Sequence, residues 1–124
     1  MNPRGLAEGW RTALLARDAD AFAALFAPEA VMLDVEHRTE DERYARPLEG
    51  RETIRAVTAA WFAQTPAFSY DIIDVLADSR SAAVRWSYVV DGFELEGVSW
   101  LECEDGRIQR AFVYFDSHEF LVAR

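Results

Sequence analysis

Cysteine is nearly missing from this chain. Cys103 is the only one, so no intrachain disulfide can form and an oxidising compartment is not implied. Long apolar runs are missing too. No stretch approaches the roughly 20 residues that span a bilayer. Met1-Asn2-Pro3-Arg4-Gly5 leads straight into a mixed polar–apolar pattern rather than the apolar centre of a signal peptide. A cytoplasmic protein with no membrane partner is the expectation. Positive charge is scarce: 13 basic residues face 22 acidic ones, for a net charge of −9. Binding to phosphate backbones or anionic lipid depends on clustered Lys and Arg. Here the basic residues stand singly among acids, which argues against nucleic acid. The two histidines, His37 and His118, have no neighbouring Cys or paired acids, so no metal site is expected. Internal repeats, linkers and low-complexity segments are absent.

Apolar residues, by contrast, make up 51% of 124 residues. That suffices for one domain, residues 1–124, to bury a core without disulfide or metal. Leu6, Trp10 and Leu14 recur every four residues and predict a helix that fades near Arg17. Asp18 is placed to cap a second helix carrying Phe22, Leu25 and Phe26 on one face, with Pro28 as its stop. Residues 30–35 read as a short strand, and residues 36–49 as a charged loop. After Gly50 a third helix presents Ile54, Val57, Thr58, Trp61 and Phe62 on one side and closes at Pro66.

The second half reads as four strands, residues 67–77, 82–90, 93–104 and 107–117. The connections Asp78-Ser79-Arg80-Ser81, Asp91-Gly92 and Asp105-Gly106 have hairpin chemistry. Helices first and an antiparallel meander second is the α+β layout. Val84, Trp86, Tyr88 and Val90 alternate to one face, as do Leu95, Gly97, Ser99, Leu101 and Cys103, and Ala111, Val113 and Phe115. The opposite face carries Val98, Trp100, Phe112 and Tyr114. Strands apolar on both faces call for a second cover. A homodimer through Val98, Trp100, Phe112 and Tyr114 is the expected cover, and a folded-back Phe120-Leu121-Val122 tail is the alternative.

Leu25-Phe26-Ala27-Pro28-Glu29-Ala30-Val31, Asp34, Leu48-Glu49-Gly50-Arg51-Glu52-Thr53-Ile54, Asp105-Gly106-Arg107-Ile108 and Tyr114-Phe115-Asp116 stand in a familiar order. Along most of its length the chain resembles the SnoaL-like branch of the nuclear-transport-factor-2-like superfamily. The resemblance implies a cystatin-like cone, or α+β barrel: a curved antiparallel sheet wrapped around N-terminal helices, with an internal apolar pocket and frequent dimerisation through the outer sheet face. The superfold hosts isomerases, cyclases, epoxide hydrolases, dehydratases and proteins without catalysis.

By the same resemblance, Asp34 stands where ketosteroid isomerases carry their general base. Trp10 and Ser99 stand where those enzymes place their oxyanion donors, and each retains one hydrogen-bond donor. Asp116 matches the acid–base Asp of SnoaL-like polyketide cyclases, on the pocket side only if a bulge turns it there. Val84, Trp86 and Val113 occupy the positions of the Asp–Arg–Asp set of limonene-epoxide-hydrolase-like members and cannot abstract a proton.

Read as residues, Asp34 interrupts an apolar strand. A carboxylate facing an apolar pocket has a raised pKa and suits a base near neutral pH. The alternatives are that it faces outward or pairs with a loop Arg. His37 is a candidate proton relay. Phe26, Trp61, Trp86, Tyr88, Leu101 and Phe115 are candidate substrate contacts, with plain core packing as the alternative for each. Tyr44 is a further contact if residues 36–47 form a lid. Cys103, among acids, is not expected to be a nucleophile. The leading expectation is an isomerase, cyclase or dehydratase without cofactor, using Asp34 as base on a small hydrophobic carbonyl compound. A non-catalytic ligand-binding protein and a dimerisation module are the alternatives.

Overall fold

Asn2 sets the start of the first helix. Its side chain accepts a hydrogen bond from the Gly5 N–H at 2.8 Å, and Pro3 occupies the first turn, where a missing N–H costs nothing. The computed structural model describes the backbone of residues 1–37 and 47–116, and the side chains of residues 1–33 and 47–115. Helix α1 (Pro3–Ala16) buries Leu6, Ala7, Trp10, Ala13 and Leu14 along one stripe. Arg17 ends it in the left-handed region at φ 53°. Asp18 then caps α2 (Ala19–Ala23), its carboxylate accepting from the Ala21 N–H at 2.9 Å.

Strand β1 (Phe26–His37) departs from the sequence reading. Pro28 does not stop α2, which ends at Ala23. Pro28 lies inside β1, at a register irregularity between Phe26 and Val31 where the strand has no regular partner for a proline to disrupt. Strand β2 (Leu48–Glu49) pairs antiparallel with Val31 and Met32, within a stretch expected to be loop. Helix α3 (Arg51–Gln64) follows Gly50 at φ 92° and buries Ile54, Thr58 and Phe62. Val57, expected on that face, is 45% exposed, because the buried stripe is narrower than the apolar one.

Strands β3 (Phe68–Ala77), β4 (Ser81–Val90), β5 (Phe93–Glu104) and β6 (Arg107–Asp116) follow, close to the predicted bounds. Asp91-Gly92 and Asp105-Gly106 turn with positive φ at both residues, as a two-residue hairpin requires. The described strands form one sheet in the order β2-β1-β6-β5-β4-β3. All pairs are antiparallel except β1–β6, which is parallel. The last four strands form the expected antiparallel meander. The first strand is inserted beside the last of them.

Register irregularities in β1, β3 and between β5 and β6 bend the sheet about the helices. Phe22, Phe26, Leu6, Ile54, Leu101 and Ile108 form the sealed centre between them. On the outer face Val98, Trp100 and Tyr114 are 39%, 37% and 44% exposed, and the Phe112 ring lies 6.5 Å from that of Tyr114. Among the described residues no helix is long and apolar enough to cross a membrane.

Candidate functional site

Strand register lines up several candidate positions across the sheet. Val113 on β6 pairs with Asp34 on β1 to one side and with Ser99 on β5 to the other. Ser99 in turn pairs with Val84 on β4. Asp34 and Ser99 therefore occupy one cross-sheet row, two strand spacings or about 10 Å apart. Val113 and Ser99 are both buried. In the adjacent row, Phe115, Gly97 and Trp86 lie side by side.

Gly97 decides how Trp86 is held. A Cβ at position 97 would fall 2.2 Å from the indole Cζ2 and 2.6 Å from the Tyr114 carbonyl oxygen. The absent side chain leaves room for the indole to lie across β5. From there its Nε1–H donates to Ser99 Oγ at 3.0 Å, a buried bond two residues along the strand. The Trp86 ring also faces Phe115 at 6.3 Å and stacks on Tyr70 of β3 at 5.8 Å and 27°.

Beside this group the rings of Trp61 on α3, Phe68 on β3 and Tyr88 on β4 pack at 5.1–6.1 Å from one another. All three are half-buried, as are Phe115, Met32 and Leu48. The three rings of Trp61, Phe68 and Tyr88 make an aromatic wall that retains accessible surface.

Other candidates sit deeper. Phe26 is fully buried and Leu101 is 1% exposed, so both belong to the sealed centre. The Trp10 indole packs edge-on against Phe22 at 4.7 Å and beside Phe26 at 5.9 Å, on the helix side of the core. The backbone of His37 pairs with that of Asp116 at the end of the β1–β6 ladder. The side chains of Asp34, His37 and Asp116 lie outside the described residues, as do Tyr44, residues 38–46 of the expected lid, His118 and the tail at 120–122; the lid's first two positions, 36 and 37, are backbone of β1. Burial pushes the Cys103 thiol pKa up, which keeps it protonated. Among the described residues no cluster of His, Cys, Asp and Glu could hold a metal.

One residue went unremarked at the sequence level, and another was placed without its role being seen. Tyr70 is 5% exposed, and burial drives its phenol pKa well above the usual range. It continues the alternation Phe68, Tyr70, Ile72. Gly97 was assigned to the right face, but not as the gap that receives Trp86. A lone glycine inside a strand, opposite a tryptophan, is the signal that marks such a gap.

The sequence profile of the SnoaL-like domain matches residues 7–111. No curated protein matches the chain. Among solved structures, a candidate ketosteroid isomerase of Kribbella flavida is 25% identical, with a TM-score of 0.72 over 91% of this chain and 76% of that one. A candidate polyketide cyclase of Sinorhizobium meliloti is 21% identical, with a TM-score of 0.72 over 88% and 93%. A nuclear-transport-factor-2-like protein of unknown function from Cytophaga hutchinsonii is 15% identical, with a TM-score of 0.77 over 98% and 96%.

Proposed function

This chain belongs to the SnoaL-like domain family, and on that premise we propose that it is a cofactor-independent isomerase, cyclase or dehydratase acting on a small hydrophobic carbonyl compound. Asp34 is the base that removes the proton α to the carbonyl. The observation that carries this reading is the cross-sheet row in which Asp34 and Ser99 flank buried Val113, beside an aromatic wall with accessible surface. A carboxylate position on an apolar inner face suits proton abstraction, because desolvation raises its basicity toward neutral pH.

Every one of the 13 basic residues is Arg. Without lysine the chain cannot hold a carbonyl substrate as a lysine Schiff base, and hydrogen-bond donors are the activation its own residues offer. Ser99 is one donor: its oxygen accepts from Trp86 and its hydroxyl proton stays available. The chain works as a homodimer joined through Val98, Trp100, Phe112 and Tyr114.

The test needs no knowledge of the natural product. A panel of enolisable aryl ketones is incubated with the protein in D2O, and α-proton exchange is followed by NMR. Exchange above the buffer rate is expected, with Asp34→Asn slower by about 10²–10⁴-fold. Unchanged exchange in that variant removes Asp34 from the mechanism.

A second reading, ligand binding without catalysis, draws support from the donors already engaged. The Trp86 N–H is committed to Ser99, and Trp10 is packed into the core. Binding of the ketones with no exchange by the wild-type protein would establish it.

A further inference from the structure

Among the described strands, β3 is a long strand with a neighbour on one side only, β4. Its composition favours pairing on the free side. Ile72, Ile73, Val75 and Leu76 make a β-prone apolar run in which Asp74 is the only charge. Ile73 and Leu76 are 45% and 72% exposed. A bare edge of this kind is a template for strand addition.

The template is interrupted at Val75. In an antiparallel strand the N–H and C=O of one residue point to the same side. The Val75 N–H donates to the Asp74 carboxylate at 2.9 Å, and the Val75 carbonyl accepts from the Arg4 guanidinium at 3.3 Å. Side chains of the same molecule thus hold both backbone groups that an incoming strand would need there. The register break between Ile72 and Asp74 bends the strand just before this point. Two turns along α1 from Arg4, Arg11 reaches the same strand and pairs with Asp71 at 3.3 Å. That exposed ion pair adds little stability. Its effect here is to lay a second charged side chain from α1 over β3.

We propose that Asp74 and Arg4 keep the β3 edge closed to strand addition, and that the strand they exclude is the β3 of a second copy. Every copy carries the same apolar run, so an antiparallel β3–β3 pair is self-complementary about a twofold axis. Charge opposes the same contact. Asp71 and Asp74 of two copies would meet along that pair, and like charges facing across strands repel. The edge is distinct from the outer sheet face that carries Val98, Trp100, Phe112 and Tyr114, so an open edge would link copies beyond the proposed dimer.

The wild type and Arg4→Ala/Asp74→Ala are compared by sedimentation over a rising concentration series, with amide exchange followed by NMR. The variant should form larger species than the wild type at equal concentration, with a native far-UV spectrum. Its Val75 amide should exchange about 3- to 10-fold more slowly as concentration rises, while the wild-type amide shows no such dependence. Asp74→Asn keeps an oxygen that accepts from the Val75 N–H and should sediment as the wild type does. Four results overturn the proposal. The double variant sediments as the wild type at every concentration, or its larger species leave Val75 exchange unchanged, which puts the contact elsewhere. It loses the native far-UV spectrum, which assigns the two residues to the stability of the fold. Or Asp74→Asn associates as strongly as the double variant, which assigns the exclusion to charge alone.

Discussion

A hydrogen at position 97 leaves a gap, and the Trp86 indole fills it. Gly97→Ala would drive a methyl into both the indole and the Tyr114 carbonyl, and the backbone contact cannot yield as a flexible side chain would. We expect a loss of about 1–3 kcal/mol in urea denaturation, together with altered tryptophan fluorescence as the indole is displaced. Ser99→Ala should cost a similar amount, about 1–3 kcal/mol, by leaving the buried indole N–H unpaired. In the Trp86→Phe background that Ser99 penalty should largely vanish, which a double-mutant cycle measures directly. Tyr70 adds a pH signature. Its folded pKa lies above the unfolded value, so stability is fully present below about pH 10. Above that point the unfolded chain sheds a proton that the folded one keeps. Relative to Tyr70→Phe, the wild type should lose up to about 1.4 kcal/mol per pH unit there. Inner and outer positions at this scale were legible from alternation. The Trp86–Ser99 bond was not, because both residues were visible only as members of a face. Their contact depends on where an indole lies once a neighbouring side chain is missing.

Helix ends and turns show how elements are held. The Arg17 guanidinium donates to the carbonyls of Phe62, Thr65 at 2.7 Å and Pro66 at 3.4 Å, so it caps the open end of α3. The same group lies over the Phe62 and Phe68 rings at 5.7 and 5.4 Å. One residue thus closes α1 with its backbone and α3 with its side chain. Arg17→Ala should cost about 1 kcal/mol in thermal unfolding, and Arg17→Lys should recover only part of it, since an ammonium cannot fork across several carbonyls. In the β3–β4 turn, Asp78 accepts from the Arg80 N–H, the Ser81 N–H and the Ser81 hydroxyl at 2.8–3.0 Å. These bonds, that from the Arg80 backbone first, hold its carboxyl below the usual range. Asp78→Ala should therefore be less stable than wild type at neutral pH. The gap should close as acid titrates Asp78 through its folded pKa. Caps and hairpins of this kind were readable from Asp18, Asp91-Gly92 and Asp105-Gly106, because their chemistry is local. Pro28 misled for the opposite reason. A proline that ends a helix and one that sits at a strand irregularity look alike until the partner strand is known.

For the whole molecule, alternation over four strands and the helical stripe of Leu6, Trp10 and Leu14 were enough to specify α+β and one sheet face against helices. The pairing of β1 with β6 was not legible, since nothing in either segment names a partner some 80 residues away. The outer face tests the proposed homodimer. Tyr114 and Trp100 are flanked by Arg85–Glu96 and Arg110–Glu102 ion pairs at 3.6 and 3.3 Å, an apolar centre with a charged rim. Sedimentation at micromolar concentration should show a dimer, and Trp100→Arg with Tyr114→Arg should give monomers with an unchanged far-UV spectrum. A wild-type monomer would remove the dimer.

The parallel β1–β6 ladder also governs timing. As the chain leaves the ribosome, β1 emerges early but can gain its long neighbour only after β6 has been made. The row joining Asp34, Val113 and Ser99 is then among the last parts to assemble. Contacts of such sequence separation slow folding and leave β1 without its long neighbour meanwhile. Nascent chains arrested before residue 107 should be captured by chaperones, and those extended past β6 released.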